Sequence, residues 1–269
     1  MRFLLAVMAL LALIFPARAD LVDLELVLAV DISGSVDDEE ARLQRSGYVK
    51  ALTDDRVIRV IQGGRHGKIA VTYAEWGGDH IQRTLVDWTV IDGKEAARDF
   101  ARRLDGAPLS VELWTSISGI MRFATDLFRL SPHRGKRRVL DISGDGPNND
   151  GAGVTGARDR ALKAGIVING LPIINDRVSR YGFPPMPNLD HYYEDCVIGG
   201  FGAFIVVANT YPDFARAIRR KLILEIAGLK PQGPPEKRPP KRPSLIPATS
   251  GARPPCNIGE VIRDSREGF

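Results

Sequence analysis

Asp31, Ser33 and Ser35 stand together in the run Asp31-Ile32-Ser33-Gly34-Ser35. Their carboxylate and hydroxyl oxygens are hard donors, suited to Mg²⁺, Mn²⁺ or Ca²⁺ rather than to zinc. An Asp-x-Ser-x-Ser run is weak by itself, because short Ser/Gly/Asp loops serve everywhere as turns and helix caps. Two further residues strengthen it. Thr115, in Leu113-Trp114-Thr115-Ser116-Ile117-Ser118, stands just before an amphipathic stretch, where taken alone it reads as a helix N-cap. Asp145 lies between Gly144 and Gly146, just past the apolar run Val139-Leu140-Asp141-Ile142-Ser143, where taken alone it reads as a turn residue. Two acids and three hydroxyls thus sit on three loops, each at a strand end or a helix start.

The elements that must bring those loops together are legible as alternating apolar and amphipathic stretches, the pattern of repeated βαβ units. Strands are expected at residues 24–30, 68–76, 80–90, 138–143, 166–174 and 204–208. Helices are expected at 38–52, 55–61, 92–104, 116–130, 154–164 and 211–226, with a short one at 189–196 inside a long insertion, 175–202. Gly77-Gly78-Asp79 is a tight-turn signal, so the second and third strands form a hairpin. The expected architecture is a doubly wound α/β fold: a mostly parallel six-stranded sheet with one antiparallel edge strand and helices on both faces. Loops at the C-terminal ends of parallel strands are where such sheets bind ligands.

The remainder of the 269 residues bounds the setting. Arg2, the apolar run 3–15 and Ala17-Arg18-Ala19 have the form of a secretory signal peptide, residues 1–19, cleaved after Ala19. No later segment has the ~18 apolar residues of a membrane span. The expected location is periplasmic or secreted. The formal net charge is +4, but it is unevenly placed. Arg2 and Arg18 lie in the leader, and Lys230, Lys237, Arg238, Lys241, Arg242 and Arg253 crowd a Pro-rich stretch, 229–255, against Glu236 alone. The body, 20–228, is close to neutral, which argues against a nucleic-acid footprint. The stretch 229–255 reads as an extended linker, and 256–269 as a C-terminal tail. Cys196 and Cys256 are the two cysteines. In an oxidising compartment they are expected to pair.

With those residues in view, the chain resembles a von Willebrand factor type A domain over about residues 21–226. That family's metal-ion-dependent adhesion site (MIDAS) pairs Asp-x-Ser-x-Ser on a first loop with a Thr on a second and an Asp on a third. The matching residues here are Asp31, Ser33 and Ser35, then Thr115, then Asp145. Gly144 departs from the Thr that the family commonly has before the third-loop Asp, and the 175–202 insertion is a second departure. The resemblance implies a Rossmann-like fold and a Mg²⁺ site, with Mn²⁺ or Ca²⁺ as alternatives, that captures an Asp or Glu carboxylate of a protein partner. It implies a binding module and no enzyme.

Two other functions compete. A metal-dependent hydrolase of phosphate or acyl substrates would use the same ion as Lewis acid, with Asp141 or His191 as base. A structural module of an envelope assembly would use the Pro-rich stretch as tether. Asp141 falls inside a strand buried on both faces, so it needs a partner, as a structural hydrogen-bond anchor or as a support to the metal ligands. Asn148, Asn149 and Asp150 read as ordinary loop chemistry, and Trp76 and Trp114 flank the candidate face. The four histidines lack metal-ligand spacing and read as surface residues. The glycines around Lys68 do not complete a phosphate loop, and no Gly-x-Ser-x-Gly elbow is present.

Overall fold

The computed structural model describes residues 20–34, 38–174, 178, 184–210, 213–229 and 253–267. The elements run β1 (Asp20–Val22), β2 (Glu25–Asp31), α1 (Asp38–Leu52), α2 (Asp55–Gln62), β3 (Ile69–Trp76), β4 (Gln82–Ile91), α3 (Lys94–Asp105), α4 (Ile117–Leu130), β5 (His133–Gly135), β6 (Arg138–Gly144), α5 (Val154–Lys163) and β7 (Val167–Pro172). Then come α6 (Leu189–Tyr192), a π-helical turn (Tyr193–Val197), α7 (Phe214–Ala227) and α8 (Ile258–Glu267). Residues 1–19, expected as a signal peptide, most of the Pro-rich stretch, Pro212 and most of residues 175–183 lie outside the described residues.

The main sheet has the order β4-β3-β2-β6-β7. Every neighbouring pair is parallel except β3 with β4, which form the expected hairpin at the edge. β1 and β5 pair in parallel as a separate two-stranded piece. Alternate side chains of β2 feed two cores. Leu26, Leu28 and Val30 pack with α1, α2, α3 and α7, while Val27 and Ala29 pack with α4, α5 and α6. β2 is buried along its whole length, as a parallel strand covered on both faces must be.

The expected sixth strand is a correction: the main sheet has five. Residues 204–208 do run beside β7, but they join it through isolated bridges, Gly170 with Ile205 and Ile173 with Ala208. Pro172 lies on that edge without an N–H to donate, so no continuous ladder forms. The Phe204 N–H turns instead to Asn169 Oδ1, at 3.0 Å.

Two further expectations meet the structure at the C-terminus. Cys196 and Cys256 are disulfide-bonded. The segment expected as a tail carries a helix, α8. Among the described residues no helix is long and apolar enough to cross a membrane. Of the histidines, His133 is buried, against expectation, because it opens β5.

Asp141 finds its partner across the sheet. Lys221 Nζ of α7 lies 2.5 Å from Asp141 Oδ1 and 2.6 Å from Glu225 Oε1, and all three side chains are fully buried. Asn169 Nδ2 donates to Glu225 Oε1 at 2.8 Å. Two acids share one ammonium. Burial, with the Glu225 charge second, pushes the Asp141 carboxyl up to about 7, despite Lys221. The folded protein therefore keeps a proton that the unfolded chain releases near pH 4, and stability declines as pH rises from about 4 towards 7 through this group. Replacing Lys221→Met leaves the acids facing each other and is expected to lower the unfolding free energy by about 3–5 kcal/mol at neutral pH. Urea denaturation checks this, and the deficit is expected to grow between pH 5 and pH 8.

Candidate metal centre

Asp31 ends β2, and Asp145 immediately follows β6, its parallel neighbour. Adjacent parallel strands leave the sheet at the same edge, so the first and third loops are brought side by side by topology alone. The Asp31 side chain is fully buried and Asp145 nearly so. Asp31 Oδ1 accepts from the Ser33 N–H at 2.7 Å, and its carboxylate also accepts from the backbone N–H of Asp145. Burial pushes the Asp31 carboxyl up to about 8, and the Asp145 charge adds to the shift.

The second loop is pinned to both. Glu112 N–H donates to Ile32 O at 2.8 Å, and Ser33 bridges Glu112 in parallel register. The buried Arg45 guanidinium holds the approach to this loop. It donates to the carbonyls of Ala107 and Pro108 and pairs with Glu75 Oε1 at 2.6 Å. Thr115 then exchanges two hydrogen bonds with Asn149. Its N–H donates to Asn149 Oδ1, and its carbonyl accepts from Asn149 N–H, each at 2.8 Å. Thr115 is not the helix cap. Ser116 accepts from Gly119 N–H as N-cap of α4, so the Thr115 hydroxyl stays outside the cap. It lies beside Gly146, 3.8 Å from where a Cβ there would be.

The structure thus brings Asp31, Ser33, Thr115 and Asp145 to one rim through direct ties between all three loops. Ser35 lies outside the described residues. The donors are oxygens on rigid loops, and two buried acids stand side by side with like charge. A divalent cation relieves that repulsion, so the residues present fit the ion that the resemblance implies.

Asn148, Asn149 and Asp150 do more than ordinary loop chemistry. Asn148 Oδ1 accepts from Ser118 N–H at 2.9 Å, and its Nδ2 donates to Ala152 O and to Glu260 Oε1 of α8. Asp150 Oδ2 accepts from Asp79 N–H at 2.8 Å, tying in the hairpin turn. α8 completes the support. Arg263 Nη1 donates to Asn149 O at 2.8 Å. Gly259 packs so closely that a Cβ there would meet Asn148 O at 2.0 Å. The adjacency of this triplet to Asp145 was the only sequence signal for its role; Glu260 and Arg263 carried none.

The small residue at 144 has a steric reason. A Cβ on Gly144 would lie 2.7 Å from Asp31 Oδ2 and 2.9 Å from Tyr193 Oη. The 175–202 insertion therefore reaches the centre through Tyr193. Trp76 is core. Trp114 is 40% exposed and holds a left-handed backbone, φ 65°, costly for a bulky residue. With exposed Leu113 it presents an apolar edge beside Thr115. Asp141, a candidate base of the hydrolase reading, is sealed in its ion pair with Lys221; His191 sits half-buried on α6.

The family described as "Protein of unknown function (DUF1194)" matches residues 21–230, and the chain belongs to it. Comparison with curated proteins finds no match. Among solved structures, proximal thread matrix protein 1 from the mussel byssus is similar at 14% identity and TM-score 0.56, over 78% of this chain and 49% of that one. The same protein with a zinc-occupied MIDAS motif matches at 15% identity and TM-score 0.56, again over 78% and 49%. The conserved hypothetical protein BatB from Bacteroides thetaiotaomicron matches at 19% identity and TM-score 0.52, over 76% of this chain and 99% of that one. A von Willebrand factor type A protein from Catenulispora acidiphila matches at 12% identity and TM-score 0.50, over 76% and 43%. The chain spans about half the length of the mussel protein. At these identities the likeness establishes the fold, which is that of a von Willebrand factor type A domain.

Asn148→Ala is expected to strip the Ser118 N–H and Glu260 of their partner. The cost is about 2–4 kcal/mol of stability, read from the denaturation midpoint.

Proposed function

We propose that this DUF1194 protein is an exported binding module, and that Asp31, Ser33, Ser35, Thr115 and Asp145 hold a divalent cation at a MIDAS-type site. The module is residues 20–228, followed by the linker 229–255 and a C-terminal segment that docks back through α8. When bound, the cation supplies open coordination positions that an Asp or Glu carboxylate of a protein partner can fill. The observation that carries this reading is the closed set of hydrogen bonds linking three loops around two buried acids. Neutral hydroxyl oxygens from Ser33, Ser35 and Thr115 would leave the ion short of charge and receptive to an external anion. Asp31 and Asp145 would balance it directly or through water.

Mg²⁺ is the ion favoured by the hard oxygen set, with Mn²⁺ or Ca²⁺ as alternatives. The mussel protein's zinc-occupied motif adds zinc to the ions worth measuring. Trp114 and Leu113, exposed beside Thr115, give the partner an apolar contact next to its carboxylate, the pairing expected of an interface anchor. The leader-like N-terminus and the disulfide agree with a periplasmic or secreted site of action. Of the two candidate bases, Asp141 is buried beside Lys221 within β6, which supports binding over hydrolysis, and His191 is half-buried on α6.

Isothermal calorimetry of the mature chain decides the matter. Mg²⁺ or Mn²⁺ is expected to bind wild type and to lose at least tenfold in affinity with Asp31→Ala. Equal binding by both proteins removes the site. A pull-down from envelope extract is expected to retain its partner with Mg²⁺ and to release it in excess chelator.

A further inference from the structure

Tyr193 is fully buried, and its hydroxyl has no hydrogen-bond partner among the described residues. A phenylalanine would fill the same space without the cost of an unpaired buried hydroxyl, about 1–3 kcal/mol. The placement of the ring is specific. Two glycines on adjacent strands leave the slot it occupies. A Cβ at Gly170 of β7 would lie 2.6 Å from Tyr193 Cδ1, and a Cβ at Gly144 of β6 would lie 2.9 Å from Tyr193 Oη. The hydroxyl therefore emerges at the sheet edge, at the point where β6 gives way to Asp145.

A second orphan faces the same gap. Asp31 Oδ2 is buried, without a hydrogen-bond partner among the described residues, and 2.7 Å from the Gly144 Cβ position. Its sister oxygen Oδ1 is already held by Ser33 N–H. A phenol stays protonated at neutral pH and can donate, while an ionised carboxylate can only accept. The two atoms are chemically complementary, and both border the space that a side chain at 144 would fill, 2.7 Å and 2.9 Å from its Cβ position, so a bridging water could link them. The backbone holds Tyr193 at this point. The π-helical turn closes with Ile198 N–H donating to Tyr193 O at 2.9 Å. Cys196, in the same turn, is bonded to Cys256. Tyr192 works on the neighbouring loop, accepting from Asn148 N–H at 3.1 Å. π-helical turns recur at functional sites.

We infer that Tyr193 is a positioning residue of the metal centre, its hydroxyl donating to Asp31 Oδ2 across the Gly144 gap through one water, and so aiming that carboxylate at a bound cation. The inference rests on the metal-site reading above. It also gives the insertion a role, because a residue far along the chain then adds to the hold that Ser33 and Asp145 have on the first-loop acid.

The test is Tyr193→Phe in the full mature chain, titrated with MgCl2 and MnCl2 by calorimetry, beside thermal denaturation in chelator. Loss of a group that orients a metal ligand typically weakens metal affinity 10–100-fold, and that fold-change is expected here. The cation-free melting temperature is expected to fall by no more than the loss of one hydrogen bond, because the link to Asp31 Oδ2 is removed. A merely structural role would lower the cation-free melting temperature and leave the affinity unchanged. Wild-type binding with Tyr193→Phe within twofold of it overturns this inference and leaves the metal site standing. No binding of either ion by wild type overturns both.

Discussion

Two carboxylates of like charge, Asp31 and Asp145, are held side by side and out of water at the ends of neighbouring parallel strands. That enforced proximity is the constraint on which the rest of the site depends. Burial and the neighbouring charge push Asp31 up to about 8, so the ionised form needs help. Some comes from backbone N–H groups of Ser33 and Asp145. The loops that supply those donors are in turn locked to the Thr115 loop by Glu112, Asn148 and Asn149. In the proposed function, such a rim would be pre-organised for a cation, because the cost of bringing the acids together is met by folding rather than by binding.

The same strand shows the contrasting solution. Asp141, four residues before Asp145 on β6, is equally buried but faces the Lys221 ammonium. Its carboxyl is satisfied inside the protein beside Lys221 and serves to tie α7 to the sheet. For Asp31 the nearest charge is another acid's. One strand thus carries an acid with a resident counter-ion in the core and delivers another to the edge, where an external ion can do the same work.

Support for the rim comes from chain segments remote from it. α8, anchored by the Cys196–Cys256 disulfide, grips the third loop through Glu260 and Arg263. The turn that carries Cys196 also presents Tyr193 to Asp31, and Tyr192, just before it, reaches the third loop. Much of the rest was legible beforehand. α1 begins and ends where its apolar side and acidic first turn place it, and the hairpin follows from Gly77-Gly78-Asp79. The capping role moved from Thr115 to Ser116 because either hydroxyl satisfies the local rule and only the tie to Asn149 distinguishes them. The sixth strand failed because Pro172, on the partner strand, cannot donate; that information is absent from residues 204–208 themselves. α8 was missed because a short, charged stretch acquires a helix's stability only from the surface it packs on.

From sequence alone came most of the strands and helices and their order, the hairpin, the expected pairing of two cysteines and the donor chemistry of Asp31, Ser33, Thr115 and Asp145. These are local properties: side-chain period, turn chemistry, compartment and oxygen hardness are written in short windows. Only the tertiary structure decided which loops touch, that Gly144 makes way for Tyr193, that Asn148 and Asn149 lock the rim, and that Asp141 belongs to Lys221. Those outcomes depend on strand order and on what each buried group meets once water is gone, and no short stretch of chain contains either.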